Sequence, residues 1–146
     1  MANILIVDDE ALIPPMLADY LGRYNHSVRM ARSSVGALGW LDVESFDVVV
    51  LDVMMAGPMD GLDVCRRMRS DPKTAQVRVL IISGVPDMEC RAYSAGADAF
   101  LPKPFDLVDI MASVSHLVSL RRPGASAKPG FTVRSAIETY NGTMVS

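Results

Sequence analysis

Charged and hydroxyl-bearing side chains follow four of the short apolar segments in this sequence. They are Asp8, Asp9 and Glu10 after the first segment, Asp52 after the third, Ser83 after the fourth and Lys103 after the fifth. If the segments form parallel strands, these residues meet at the carboxyl edge of one sheet, where open α/β folds bind their ligands. Crowded carboxylates repel one another, so a cation is expected among them. Magnesium suits such oxygen ligands, and an aspartate beside it can take up a phosphoryl group while a lysine neutralises negative charge.

The elements that would position these residues alternate along the chain. The apolar segments are residues 4–7, 27–31, 48–51, 79–82 and 99–101, and the helix-like stretches are about 11–24, 33–41, 61–69, 87–95 and 105–120. Four of the apolar segments are dense and lack alternation, which is typical of strands buried on both faces of a parallel sheet. The pattern predicts an α/β fold, a doubly wound (βα)5 sandwich with a five-stranded parallel sheet.

Local signals place some of the helix boundaries. Pro14 and Pro15 stand where a missing N–H costs little, within a first helical turn, so they predict a helix start near residues 11–13. Ser33 is expected to cap the second helix, and Trp40 is expected to pack it against the fold.

Length and charge indicate one domain with a tail. The chain has 146 residues, half of them hydrophobic, which is enough for one core but short for two domains. Residues 1–120 carry a net charge of −6 and residues 121–146 a net charge of +3. We expect one domain over residues 1–121 and a basic tail containing Pro and Gly over 122–146 that is not a domain. The acidic body argues against direct binding of nucleic acid, which needs a basic face on the folded domain.

Other features exclude further classes of protein. No apolar run approaches the roughly 18 residues of a membrane span, and the chain opens without a cleavable leader, so we expect a cytoplasmic protein without membrane contact. Cys65 and Cys90 lie far apart and outside any metal-ligand spacing, and both are expected to be small, buried or half-buried hydrophobic residues. His26 and His116 lie away from the strand ends and are not expected to bind metal.

The order of these motifs resembles the receiver family of two-component signalling, which includes the chemotaxis regulator. The resemblance covers residues 3 to about 120. Its motifs are Asp8-Asp9, the run Val-Val-Val-Leu-Asp-Val-Met-Met around Asp52, Asp60-Gly61, Ser83-Gly84, Gly-Ala-Asp-Ala-Phe at 96–100, and Lys103-Pro104. It implies the flavodoxin-like strand order 2-1-3-4-5. It also implies a domain that accepts a phosphoryl group from a histidine kinase or histidine phosphotransfer protein and then acts on a downstream protein target.

The resemblance assigns the phosphoacceptor and the metal ligands. Asp52 would be the phosphoacceptor. Asp8, Asp9, Asp52 and the backbone carbonyl of Met54 would hold Mg²⁺, with Asp9 the more direct ligand of the acidic pair. The loop after Asp52 is one residue longer than the family pattern, and its proline is displaced to Pro58.

The same resemblance assigns the switch. Ser83 would bond the phosphoryl group, Phe100 would be the aromatic switch residue, and Lys103 would contact the phosphate. The peptide from Lys103 to Pro104 is often cis in the family. Phe100 lacks the tyrosine hydroxyl of many relatives, so its ring can rotate without making an outward hydrogen bond. The fourth helix, fifth strand and fifth helix would form the responding surface, which is also the expected contact of a possible homodimer.

Two other functions are weighed against this one. A phosphatase of the haloacid-dehalogenase type also uses an aspartate nucleophile, but it needs an acid two residues further on, where this chain has Met54. A pseudo-receiver that serves only for dimerisation would lack an acid or the lysine. We expect a signalling domain without an attached effector and not an enzyme, with at most slow self-phosphorylation from small phosphodonors and slow self-dephosphorylation.

Overall fold

Five strands and five helices alternate in the computed structural model, which describes residues 2–10 and 13–120. The strands are β1 Asn3–Val7, β2 Ser27–Ala31, β3 Val48–Asp52, β4 Arg78–Ser83 and β5 Ala99–Pro102. The helices are α1 Ile13–Gly22, α2 Ser34–Val43, α3 Gly61–Ser70, α4 Glu89–Ser94 and α5 Leu107–Ser119. The expected basic tail, residues 122–146, lies outside the described residues.

The strands form one parallel sheet in the order β2-β1-β3-β4-β5, which confirms the predicted fold and strand order. β1 pairs with β2 on one side and with β3 on the other. The direction in which successive strands are added to the sheet therefore reverses at β1. The register pairs Val7 with Leu51. The next residues, Asp8 and Asp52, therefore lie beside each other at the carboxyl edge.

Each face of the sheet carries its own apolar core. Leu5 and Val49 contribute to the core beneath α2, α3 and α4, whereas Ile4 and Val48 contribute to the core beneath α1 and α5. Both sides of the central strands are therefore buried, and all five residues of β3 are buried. This burial is why the strand segments of the sequence show no alternation of polar and apolar residues.

The predicted starts of α1 and α2 are confirmed. α1 begins at Ile13 with both prolines in its first turn, and Ser33 caps α2 by accepting a hydrogen bond from the Gly36 N–H (3.0 Å). The Trp40 indole N–H donates to the Met30 carbonyl (3.2 Å) and joins α2 to β2, as predicted. α4 is shorter than predicted and leaves much of its surface exposed. Cys65 is buried as expected, but the expectation of burial was wrong for Cys90, which lies on the exposed side of α4.

Arg69 fastens the turn between α4 and β5 to the rest of the fold. Its guanidinium group donates to the backbone carbonyls of Gly96 (2.9 Å) and Ala75 (3.1 Å) and to the Asp98 carboxylate (2.8 Å). Gly96 has a φ of 108°, and a Cβ there would collide with the Arg69 side chain. At the other end of α4, the cap residue Met88 makes no side-chain hydrogen bond. The two ends of this helix are therefore held very differently.

Within residues 2–10 and 13–120, no helix has both the length and the apolar character needed to cross a bilayer.

Gly61 and Gly39 give a matched test of the packing around the end of β3. A Cβ on Gly61 would collide with the backbone carbonyl of Asp52, whereas a Cβ on Gly39 in α2 meets no atom within 4 Å. We expect Gly61→Ala to lower the free energy of unfolding by at least about 2 kcal/mol, because backbone must shift. Gly39→Ala should raise it by about 0.5–1 kcal/mol through helix propensity. Urea unfolding followed by circular dichroism measures both, and equal effects would contradict the close approach at Gly61.

Candidate functional site

Three carboxylates converge at the carboxyl ends of β1 and β3. Asp8 is completely buried, Asp52 is 3% exposed and Glu10 is exposed. Carboxylate oxygens of the three residues all lie within 4.8 Å of one another. The Glu10 backbone N–H donates to Asp8 Oδ1 (2.9 Å), which fixes the turn that follows β1. The strand register thus produces a dense cluster of negative charge.

Lys103 supplies positive charge to this cluster from the end of β5. Its backbone N–H donates to the Ser83 carbonyl (2.8 Å), which places the residue beside the carboxyl end of β4. Its ammonium group donates to Glu10 Oε1 (2.8 Å), Asp52 Oδ2 (3.0 Å) and Asp8 Oδ2 (3.4 Å). The peptide from Lys103 to Pro104 is cis, as the family resemblance implied. One ammonium group thus faces three carboxylates, and the cluster stays negative.

Burial and the neighbouring charges both change the pKa values of Asp52 and Lys103. Burial raises the pKa of Asp52 from 3.8 to about 6; the Asp8 charge adds to the rise, and the Lys103 hydrogen bond opposes it. Burial lowers the pKa of Lys103, but hydrogen bonds to Glu10 and Asp52 more than compensate, and its pKa lies above the ordinary value. Asp52 is therefore mostly ionised at neutral pH, in a setting that disfavours its charge.

A divalent cation fits this set of donors. The side-chain ligand atoms of this group are all carboxylate oxygens, the type that Mg²⁺ prefers. A cation would also offset burial and the Asp8 charge, which together raise the pKa of Asp52. Among the described residues, Asp8, Glu10 and Asp52 form the one group of three or more possible ligand residues close enough to share a metal ion. Two of the predicted ligands, Asp8 and Asp52, are thus brought together.

The other predicted ligands are placed differently. Asp9 is exposed, and its Oδ2 accepts a hydrogen bond from the Ala56 N–H (3.2 Å), so it anchors the loop after β3. The Met54 backbone N–H donates to Asp52 Oδ1 (3.4 Å), and its side chain is exposed. The metal roles of Asp9 and of the Met54 carbonyl stay predictions. Glu10, which was not predicted to be a ligand, joins the cluster instead; its place in the same acidic run was the available signal.

The predicted switch residues line one pocket. Ser83 is buried at the end of β4, and Phe100 is buried within β5. With Lys103 they border a cavity of about 520 Å³ beside α4. The Ser83 hydroxyl accepts a hydrogen bond from the Val85 N–H (2.9 Å). A path of contact therefore connects the acidic cluster to the surface around α4.

The lengthened loop after β3 is anchored at both ends. It is tied to Asp9 through Ala56, and Asp60 caps α3 in a reciprocal pair of hydrogen bonds with Asp63. Met55 and Met59 are half-buried and pack against the core beneath α2 and α3. Gly57 in this loop has a φ of 111°, a conformation that favours glycine.

Sequence comparison identifies the family that shares this arrangement. The family model for the response regulator receiver domain matches residues 4–115, which is most of the chain. The chain belongs to the response-regulator receiver family. It is a receiver domain of two-component signalling, as the order of motifs predicted.

Individual relatives agree with this placement of the receiver domain. The response regulator MprA of Mycobacterium bovis BCG is 35% identical over 126 residues, which is 86% of this chain and 54% of that protein. This chain therefore spans about half the length of the curated relatives it matches. The non-phosphorylated HemR receiver domain from Leptospira biflexa superposes with a TM-score of 0.75 at 26% identity, covering 84% of this chain and 98% of that one. The signal receiver domain of a histidine kinase from Syntrophus aciditrophicus superposes with a TM-score of 0.77 at 26% identity, covering 90% of this chain and 100% of that one.

The receiver's charged cluster should cost stability when no metal is bound. Because the pKa of Asp52 rises from 3.8 to about 6 on folding, the folded chain binds more protons than the unfolded chain between these values, and stability falls as pH rises through this window. Asp52→Asn removes the cost. In buffer with EDTA it should raise the free energy of unfolding by about 3 kcal/mol near pH 7.5 and by about half as much near pH 5. Asp19→Asn, on exposed α1 surface, is the control, and an equal gain at both pH values would contradict the assigned pKa.

Proposed function

We propose that this receiver domain accepts a phosphoryl group on Asp52 from a histidine kinase or a histidine phosphotransfer protein, in a reaction that requires Mg²⁺. The observation that carries the proposal is the Asp52 carboxylate itself. It lies at the end of a central strand, bonded to the Lys103 ammonium and clustered with Asp8 and Glu10. A surface carboxylate would gain nothing from such surroundings, whereas a nucleophile that meets an anionic phosphoryl group needs cations beside it.

The proposed transfer forms one bond and breaks one. An Asp52 carboxylate oxygen bonds to phosphorus while the bond from phosphorus to the histidine nitrogen of the donor breaks, and the imidazole keeps the electron pair. Lys103 balances negative charge on the phosphoryl oxygens. Asp8, Asp52 and the predicted ligands Asp9 and Met54 would hold the Mg²⁺, which when bound offsets repulsion between the carboxylates and the phosphoryl group.

The proposed response passes through Ser83 and Phe100. A Ser83 hydroxyl drawn toward a phosphoryl oxygen would leave the Val85 N–H, and the Phe100 ring could enter the vacated space. The pocket that these residues line beside α4 supports this route. The surface of α4, β5 and α5 would then bind a downstream protein target or a second copy of the chain.

The competing enzyme function is less well supported. A haloacid-dehalogenase-type phosphatase needs an acid two residues after the nucleophile, and Met54 presents an exposed thioether there. We therefore infer a signalling domain with slow self-phosphorylation and self-dephosphorylation only. We also infer a cytoplasmic location. We infer protein partners because a net charge of −6 over residues 1–120 does not favour binding to nucleic acid or to an anionic membrane.

Incubation with acetyl phosphate and Mg²⁺ should add one phosphoryl group that is labile to base. Asp52→Asn should abolish the addition, because an amide cannot act as the nucleophile. Intact mass spectrometry measures the product. Asp19→Asn, which removes an exposed acid from α1, should be phosphorylated like the parent. Labelling that persists in Asp52→Asn would place the acceptor elsewhere and refute the proposal.

The phosphorylated state is expected to be long-lived. Hydrolysis needs a water aligned with phosphorus, and the nearby positions two residues beyond Asp52 and Ser83 are Met54 and Val85, which cannot hold a water by hydrogen bonds. Met54→Asn combined with Val85→Glu should therefore speed dephosphorylation several-fold at equal Mg²⁺. The decay is followed by mass spectrometry after removal of phosphodonor. A double variant no faster than its parent would show that water positioning does not control the lifetime.

A further inference from the structure

The shortest contact of the Lys103 ammonium group is with Glu10. The distance from Nζ to Glu10 Oε1 is 2.8 Å, compared with 3.0 Å to Asp52 and 3.4 Å to Asp8. The lysine side chain is 17% exposed, whereas the Glu10 side chain is 51% exposed. Glu10 therefore reaches from the solvent side of the acidic cluster toward a largely buried ammonium group.

All the hydrogen-bonding capacity of this ammonium group is used. A lysine has three N–H donors, and Lys103 directs them at three carboxylates. A phosphoryl group on Asp52 would bring oxygens that need the same cation. One of the present partners must then be released.

Glu10 is the partner that can be released at least cost. Asp8 is completely buried, so the loss of its cation would leave an uncompensated charge inside the protein. Asp52 is the group that would carry the phosphoryl group. Glu10 is half exposed, and water can solvate its carboxylate once the ammonium group leaves.

We propose that Glu10 is a positioning residue that holds Lys103 over the acidic cluster before phosphorylation and gives up the ammonium group to the phosphoryl oxygens afterwards. This inference rests on the proposed function of the site. It assigns Glu10 a restraining role, because every phosphorylation must first break the Glu10–Lys103 ion pair. Loss of Glu10 should then favour the state in which Lys103 contacts the phosphoryl group.

The ion pair can be observed directly without phosphorylation or metal. The chain has three lysines, Lys73, Lys103 and Lys128, so Lys73→Arg and Lys128→Arg assign the Lys103 ammonium signal in ¹⁵N-detected NMR. In metal-free protein this signal should be sharp and slow to exchange with water. Glu10→Gln should shift it and speed its exchange. Asp19→Asn, which likewise neutralises an exposed acid but on α1, should leave it unchanged.

The restraining role is tested with beryllofluoride, a mimic of the phosphoryl group, at saturating Mg²⁺. We expect Glu10→Gln to bind the mimic roughly 2- to 5-fold more tightly than the parent, because a half-exposed ion pair is worth only a modest amount. Glu10→Asp keeps the charge but is shorter, and it should give an intermediate affinity. Asp19→Asn should match the parent. Equal affinity in the parent and Glu10→Gln would overturn the proposal.

A second titration separates a lysine partner from a metal ligand. If Glu10 acts through Lys103, Glu10→Gln should weaken Mg²⁺ binding by no more than a few-fold. A loss above roughly tenfold, with no gain in affinity for the mimic, would make Glu10 a metal ligand and overturn the positioning role.

The two proposals fail in distinguishable ways. If acetyl phosphate does not label the parent protein, the proposed function of Asp52 is wrong whatever the lysine signal shows. If labelling occurs on Asp52 but the Lys103 signal is the same in Glu10→Gln and the parent, only the role of Glu10 is wrong.

Discussion

Repulsion among the carboxylates at the carboxyl ends of β1 and β3 is the constraint on which the rest of this site depends. The sheet register forces Asp8 and Asp52 together, and burial denies them the solvent that would screen their charges. Lys103 relieves part of the repulsion from the end of β5. The negative charge that remains is of the kind that a divalent cation would offset.

A rigid framework keeps these charges in position. The central strands are buried on both faces between two apolar cores, so the strand ends cannot move apart without disrupting packing on both sides. Close approach of α3 to the end of β3 adds to this, since Gly61 leaves no room for a side chain beside the Asp52 carbonyl. The unfavourable ionisation of Asp52 is thus sustained by contacts distant from it. Stability and reactivity are opposed at this residue.

Much of this arrangement could be predicted from the sequence, for a physical reason. Dense apolar runs are typical of strands buried on both faces, and parallel strands bring their carboxyl ends to one edge of the sheet. Asp8, Asp52 and Lys103 could therefore be placed together from the sequence alone. Side-chain direction could not be predicted in the same way. Within one acidic run, Asp9 turns to the Ala56 N–H and Glu10 turns to Lys103, and the choice depends on neighbours far away in the chain. The exposure of Cys90 escaped prediction because it follows from how little of α4 is buried.

The unequal attachment of α4 has a mechanical consequence. Arg69 clamps the turn beyond its carboxyl end to α3 and to Asp98, whereas its amino-terminal end has no side-chain cap and borders the pocket of Ser83 and Phe100. Met88 at the amino-terminal end is instead held by apolar packing, since it is buried in the core beneath α2, α3 and α4. Apolar contacts are non-directional, whereas the hydrogen bonds of Arg69 fix both distance and angle. Any tilt of this short helix would therefore turn about its carboxyl end.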